Sequence, residues 1–173
     1  MNTPKKVLTF LYPDCIEYEI LTCLEFLRFE SCEVSVLTPD GKSHKGSTGL
    51  TILAQFSLAT LEQRNWDLIL IPGGDPGQIF RDSNLHQLLI NHFEKGPLLG
   101  AVCAGPLILG AAGILKGKEF AHGYSEEQLD FLAVHFDQAL PSDKMLVRAR
   151  NVITAKPQAH LLFAIEIYKA LFP

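Results

Sequence analysis

Leu98-Leu99-Gly100-Ala101-Val102-Cys103-Ala104-Gly105-Pro106 is the stretch whose reading decides the fold. An apolar run stops at a cysteine that has a small residue two positions before it, Ala101, and another two positions after, Gly105. A sharp strand-to-helix turn crowds neighbouring backbone around its apex and leaves no room there for large side chains. Pro106 then opens a small-residue segment, 105–115, of helical character, and proline suits a first helical turn. These residues predict an elbow between a buried strand, 97–102, and a helix, with Cys103 at the apex.

Outward from the elbow, the other apolar runs repeat the arrangement. Residues 67–71 give the strongest buried-strand signal in the chain, broken at Pro72-Gly73-Gly74. Residues 7–12 form another unbroken apolar run, closed by Pro13-Asp14, and 34–37 a short one stopped by Thr38-Pro39-Asp40-Gly41. Helical spacing of apolar residues falls between them, over 17–29, over 84–95 with Ser83 as N-cap and Gly96 beyond the end, over 126–136 after Ser125, and over 159–171. Two late strands, 145–147 and 152–154, flank a turn at Arg150-Asn151, and 46–53 reads as a small hairpin or an edge excursion. Strands buried on both faces and alternating with helices indicate an α/β fold with a mainly parallel sheet covered by helices on both sides. With no linker, repeat or low-complexity segment, residues 1–173 read as one domain.

The 173 residues are 47% hydrophobic and 20% charged, a mix suited to a globular domain with a sizeable core. A net charge of −4 without a basic stripe argues against a nucleic-acid partner. The N-terminal run does not fit a signal peptide, no stretch is long and apolar enough for a membrane span, and a cytoplasmic location is expected. The four cysteines (Cys15, Cys23, Cys32, Cys103) lack metal-ligand spacing, the closest pairs being eight and nine residues apart. In a reducing compartment they stay thiols.

Three segments fall at carboxyl ends of strands, where ligands bind in open α/β sheets: 14–19, Gly73-Gly74 and 103–105. Cys103 at an elbow, with a helix N-terminus beside it, is expected to have a lowered pKa and to act as a nucleophile. The plainer reading is a small core thiol. The amides at Gly73 and Gly74, with that of Ala104 or Cys103, could form an oxyanion hole, or the glycines could simply make a turn. Glu17 at a helix start fits a helix-dipole role. Glu19 is spaced to reach across to the elbow, where a neighbouring thiolate and burial would keep it protonated. His122 is a candidate general base, with a structural loop residue as the alternative. Cys15 is a candidate redox partner for Cys103.

Taken together, Ile71-Pro72-Gly73-Gly74, Ala101-Val102-Cys103-Ala104-Gly105-Pro106, the Glu17-Tyr18-Glu19 helix start and, more weakly, Val152-Ile153-Thr154-Ala155 make the chain resemble the ThiJ/PfpI superfamily. The resemblance implies the flavodoxin-like three-layer sandwich of class I glutamine amidotransferases. It implies Cys103 as elbow nucleophile, Glu19 as a protonated carboxyl touching it, Gly74 as an oxyanion donor and His122 as a site histidine. It also implies a homodimer. Two segments depart from the pattern. Ala104 stands where the protease-like branch has a histidine, and Ala155-Lys156-Pro157-Gln158 replaces the usual Arg-Gly-Pro-Gly-like stretch. The chain as given ends at Pro173, without the further C-terminal helix of one branch, so a more open site is expected.

The function expected is therefore that of a cysteine-dependent small-molecule enzyme (glyoxalase, hydratase or amidase-like), using neither metal nor organic cofactor. The alternative is a redox-sensing or stress-protective protein acting through oxidation of Cys103. An intracellular cysteine peptidase or an amidotransferase-like protein is a weaker alternative, since His160 lies late enough for a triad but lacks the His-x-Glu spacing.

Overall fold

The computed structural model of the chain describes residues 3–61 and 64–173. Met1 and Asn2, part of the N-terminal run read above against a leader, lie outside them. In chain order the elements are β1 (Lys6–Phe10), α1 (Tyr18–Phe29), β2 (Glu33–Thr38), β3 (His44–Lys45), β4 (Thr51–Ile52), β5 (Phe56–Ser57) and β6 (Leu68–Ile71). The second half runs α2 (Ser83–Lys95), β7 (Leu98–Val102), α3 (Pro106–Ala111), β8 (Glu119–Ala121), α4 (Glu126–Leu132), β9 (Leu140–Ser142), β10 (Leu146–Ala149), β11 (Val152–Ala155) and α5 (His160–Leu171).

Seven strands form the main sheet in the order β10-β11-β7-β6-β1-β2-β5, all parallel except the edge pair β10–β11. The unbroken apolar runs become the central strands, because only a strand covered on both faces can bury every side chain. β6, β7 and β11 are buried throughout. α1 and α5 pack on each other over one face, and α2 with α3 cover the other. The register is tight where α5 meets the sheet. A Cβ on Gly100 would lie 2.8 Å from side-chain atoms of both Phe163 and Ile167, so the missing side chain in β7 is what lets α5 seat. The mainly parallel sandwich expected from the sequence is the fold observed. Of the two readings of 46–53, a hairpin is the one found, but it begins earlier, with β3 at His44–Lys45 pairing with β4 at Thr51–Ile52.

Several local expectations change. α2 is capped by Asp82, not Ser83: the Asp82 carboxylate accepts the N–H groups of Asn84 (2.8 Å) and Leu85 (3.0 Å), leaving Ser83 as the first helical residue. The helix read over 105–115 is shorter, six residues, and gives way to turns through Gly113 in the left-handed region. The helix read over 126–136 ends at Leu132 and continues as a 3-10 turn, since no residue of α4 is buried to hold it longer. A small parallel pair, β8 with β9, was not expected at all.

Candidate active site

In the sheet order just given, the direction of winding reverses between β1 and β6, and the carboxyl ends of strands flanking such a reversal form the binding crevice of doubly wound folds. The loops leaving β1, β6 and β7 meet there. These are the three segments picked out from the sequence.

Cys103 follows β7 directly and has φ +60, one of five non-glycine residues with positive φ among the described residues. The left-handed conformation costs a non-glycine residue about 1–2 kcal/mol. It is held by backbone on both sides: Cys103 N–H donates to Ala155 O (2.9 Å), and Cys103 O accepts from Gly123 N–H (2.7 Å). Gly105 is obligatory for the turn, because a Cβ there would lie 2.7 Å from Ile71 O and 2.9 Å from Pro72 O. The elbow reading is thus explained at the level of backbone contact.

Glu19 sits in the first turn of α1, fully buried. Its Oε2 accepts Gly73 N–H at 2.8 Å, and its carboxyl is also hydrogen-bonded to the Cys103 thiol. Its Oε1 has no hydrogen-bond partner. Gly73 is wedged between the two: a Cβ there would lie 2.7 Å from Glu19 Oε2 and 2.8 Å from Cys103 Sγ. Gly74, at φ +110, backs onto the loop after β1, where a Cβ would come within 2.8 Å of Cys15 Cα. The N–H groups of Gly74 and Ala104 both hydrogen-bond to the Cys103 sulfur. Glycine at 73 and 74 therefore makes the turn, but only the Gly74 N–H is left for the sulfur: the Gly73 N–H, expected in the oxyanion hole, is taken by Glu19.

The electrostatics reverse one expectation. The Cys103 thiol is pushed up to about 12, first by burial and then by the Glu19 carboxylate beside it, and the two amides only partly offset this. The adjoining helix is too short and the carboxylate too close for the helix end to prevail. Glu19 is itself raised, by burial, against the lowering effects of the Gly73 N–H, the Cys103 thiol and His160. Two neighbouring acids, both raised, titrate as a pair, so one proton can pass between the thiol and the carboxyl. Either the thiol donates to the carboxylate, or the carboxylic acid donates to the thiolate.

His122 is buried just past β8. Its Nδ1 accepts Tyr124 N–H (3.2 Å), and its ring stacks on Tyr124 and packs at a tilt against Phe120. Burial and Lys156 lower its pKa, which keeps it neutral with the proton on Nε2. Its neighbour Gly123 faces the sulfur instead, since a Cβ there would lie 3.0 Å from Cys103 Sγ. Cys15 is fully buried at the same end of the sheet, its thiol pushed up to about 11 chiefly by burial. Glu17 does more than complement a helix: its carboxylate accepts the hydroxyls of Ser47 and Thr48 and the Thr48 N–H, pinning the β3–β4 hairpin beside the site.

The sequence reading missed three residues and discounted a fourth. Gly123 is one. Tyr12 is another: it is buried beyond the end of β1 and donates its hydroxyl to Gly73 O (2.8 Å). Tyr124 donates to Ala104 O (2.6 Å). His160, discounted for a triad, opens α5 and is close enough to Glu19 to lower its pKa. A tyrosine closing an apolar strand was the one visible signal among these. Among the described residues, no group of three or more His, Cys, Asp or Glu is placed to hold a metal ion, and no helix is long and apolar enough to cross a membrane.

Known proteins are similar to this chain over nearly its whole length. The crystal structure of Drosophila melanogaster DJ-1beta superposes with a TM-score of 0.82 at 28% identity, covering 98% of this chain and 91% of that one. Drosophila melanogaster DJ-1alpha is 31% identical over 96% of this chain and 77% of its own length. A Caenorhabditis elegans protein named glutathione-independent glyoxalase DJR-1.2 is 27% identical over 99% of this chain and 91% of its own. The DJ-1/PfpI family matches residues 5–170, and with the elbow, the flavodoxin-like sheet and these relatives in agreement, the chain belongs to the DJ-1/PfpI family.

Proposed function

We propose that this protein is a cysteine-dependent enzyme that converts small 2-oxoaldehydes to 2-hydroxy acids. One observation carries the reading: a partly exposed thiol is hydrogen-bonded to a fully buried carboxyl at a site lined by backbone N–H groups. Moving the thiol proton from Cys103 to Glu19 creates the nucleophile and the acid together. The glyoxalase name of the Caenorhabditis elegans relative favours this chemistry over hydratase or amidase chemistry.

The Cys103 thiolate adds to the aldehyde carbon, forming a C–S bond and an alkoxide. The amides of Gly74 and Ala104, which face the sulfur before attack, stabilise the charge that moves onto oxygen. Glu19 gives its proton to the alkoxide, and the resulting carboxylate removes the hydrogen from the same carbon to give an enediol. Reprotonation of the adjacent carbon by Glu19 leaves a 2-hydroxyacyl thioester on Cys103. Water cleaves the thioester, releasing the 2-hydroxy acid and restoring the thiol. The sum is one 2-oxoaldehyde plus one water, with no outside oxidant or reductant. His122, carrying its proton on Nε2, serves as a hydrogen-bond donor to the substrate.

The test is production of lactate from methylglyoxal by the wild type and by Cys103→Ala. Loss of about a thousandfold or more in the variant is expected for a missing nucleophile. Equal turnover in both overturns the mechanism.

A second reading rests on Glu19 Oε1, a buried oxygen without a partner on the carboxyl that touches Cys103. Peroxide would oxidise the Cys103 thiolate in two steps to a sulfinate, each step transferring one oxygen and releasing one water, and a protonated Glu19 would donate to a sulfinate oxygen. Mass spectrometry after mild peroxide, with no turnover of carbonyl substrates, would favour this sensor role. Either reading extends to a homodimer. Tyr18 and Leu21 of α1 and Leu161 and Leu162 of α5 are 41–53% exposed on two helices packed together, an apolar face that pairing would bury. Light scattering at the size of two chains is the expected result.

A further inference from the structure

Two peptide units present their N–H groups to the Cys103 sulfur: Gly73–Gly74 and Cys103–Ala104. In a trans peptide the carbonyl points away from the N–H, so whatever grips the carbonyl also aims the donor. Both units are gripped in this way. The Cys103 carbonyl accepts Gly123 N–H at 2.7 Å. The Gly73 carbonyl accepts two donors, Ile16 N–H at 2.9 Å and the Tyr12 hydroxyl at 2.8 Å.

The second unit needs that grip more. It joins two glycines, and glycine populates positive and negative φ with similar ease, so nothing local prevents this peptide from rotating. A half-turn would replace the N–H facing the sulfur with a carbonyl oxygen, which repels a thiolate. Gly74 already sits at φ +110, in a region that side chains avoid. The two donors on Gly73 O tie down the other edge of the same peptide.

Tyr12 is placed for this and little else. It lies beyond the last paired residue of β1, fully buried, its ring 5.8 Å from that of Phe10. A phenylalanine would fill the same space. The hydroxyl contributes only its bonds to Gly73 O and, at 3.2 Å, to Pro72 O. The titratable groups around it are Cys15, Tyr124, Cys103 and Glu19.

We propose that the Tyr12 hydroxyl is a positioning group that locks and polarises the Gly73–Gly74 peptide so that Gly74 N–H stays aimed at the reacting sulfur. The proposal rests on Cys103 being the reacting atom. It adds a side chain outside the reacting shell whose loss changes the chemistry while leaving nucleophile and carboxyl in place. Donation to a carbonyl also strengthens the N–H on the far side of the amide, so the effect extends beyond holding still.

The experiment follows alkylation of Cys103 by iodoacetamide across pH, located by peptide mass spectrometry, alongside methylglyoxal turnover. In Tyr12→Phe the midpoint of the alkylation profile moves up, and the rate at neutral pH falls about three- to tenfold, the loss expected from one weakened hydrogen bond to the anion. The kcat falls with it while KM stays within about twofold, since the bond acts on developing charge and not on ground-state binding. Replacing Tyr12 with 3-fluorotyrosine, a stronger donor of nearly the same shape, shifts the profile the opposite way. This variant decides the matter if Tyr12→Phe fails to fold. An unchanged alkylation profile in either folded variant overturns the proposal, whatever happens to melting temperature. Absence of methylglyoxal turnover in the wild type would defeat the functional reading alone, and the alkylation profiles would still decide Tyr12.

Discussion

Cys23, midway along α1, and Cys103, at the elbow, have thiols pushed up to about the same value, about 12, and burial is the first cause for both. Their surroundings differ in kind. Cys23 is fully buried in the apolar core, and among the described residues the charge that bears on it is the sulfur of Cys32. Cys103 is partly exposed, faces two N–H donors and touches a carboxyl able to take its proton. Resting acidity therefore does not separate a nucleophile from core packing. What separates them is the environment waiting for the anion: a thiolate at position 23 would be bare, whereas one at 103 is received by donors and leaves its proton nearby.

Making Cys103 more like Cys23 should have the largest effect. Glu19→Gln removes the proton acceptor and is expected to lower kcat/KM by about 10²–10⁴, the usual range for a positioned acid–base group. The same change removes the carboxylate charge that holds the thiol up, so Cys103 alkylation at neutral pH should become faster. Reactivity and turnover moving in opposite directions would sharpen the contrast, and a parallel fall in both would break it. Next comes Gly73→Ala, whose methyl would have to sit 2.6 Å from Cys103 Cβ and 2.7 Å from Glu19 Oε2. The displacement should reduce kcat by about a hundredfold, and retained activity would show that the geometry is not critical.

A smaller effect concerns pH and stability. Burial raises the Glu19 pKa above its unfolded value, so the folded state binds that proton more tightly. The stability this contributes is complete below the ordinary carboxyl range, near pH 4, and is lost as pH rises through the raised value. Relative to Glu19→Gln, the wild type should lose melting temperature between acid and neutral pH, and parallel curves for the two proteins would contradict the assignment. The smallest effect on chemistry belongs to the other thiol. Cys23→Ala should cost about 1 kcal/mol of stability from lost packing and leave turnover within about twofold of wild type.

Much of this site was legible because its parts lie where strands end. The unbroken apolar runs of β1, β6 and β7 marked buried parallel strands, and the residues after each run were the site. Small residues around Cys103 were readable because backbone packs against Gly105. The unread parts depend on pairings between distant segments. β8 is three residues long, and its partner β9 contains Pro141, so neither carries a strand pattern. Ser83 and Asp82 are adjacent and both good caps, and only the direction of the Asp82 side chain chose between them. The direction of the Cys103 pKa depended first on how deeply the elbow is buried and then on how close Glu19 comes, neither of which spacing along the chain encodes. Tyr12 looked like the last residue of a strand, and its hydroxyl acquired meaning only once Gly73 lay above it.

The backbone at Cys103 bears on evolutionary drift. At φ +60 the relaxed residue is glycine, and every other amino acid there keeps the elbow under standing tension. Stability alone therefore favours replacing the nucleophile, and only selection for chemistry opposes it. A descendant freed from catalysis would be drawn toward glycine at this position, losing its reactivity while its fold grew more secure.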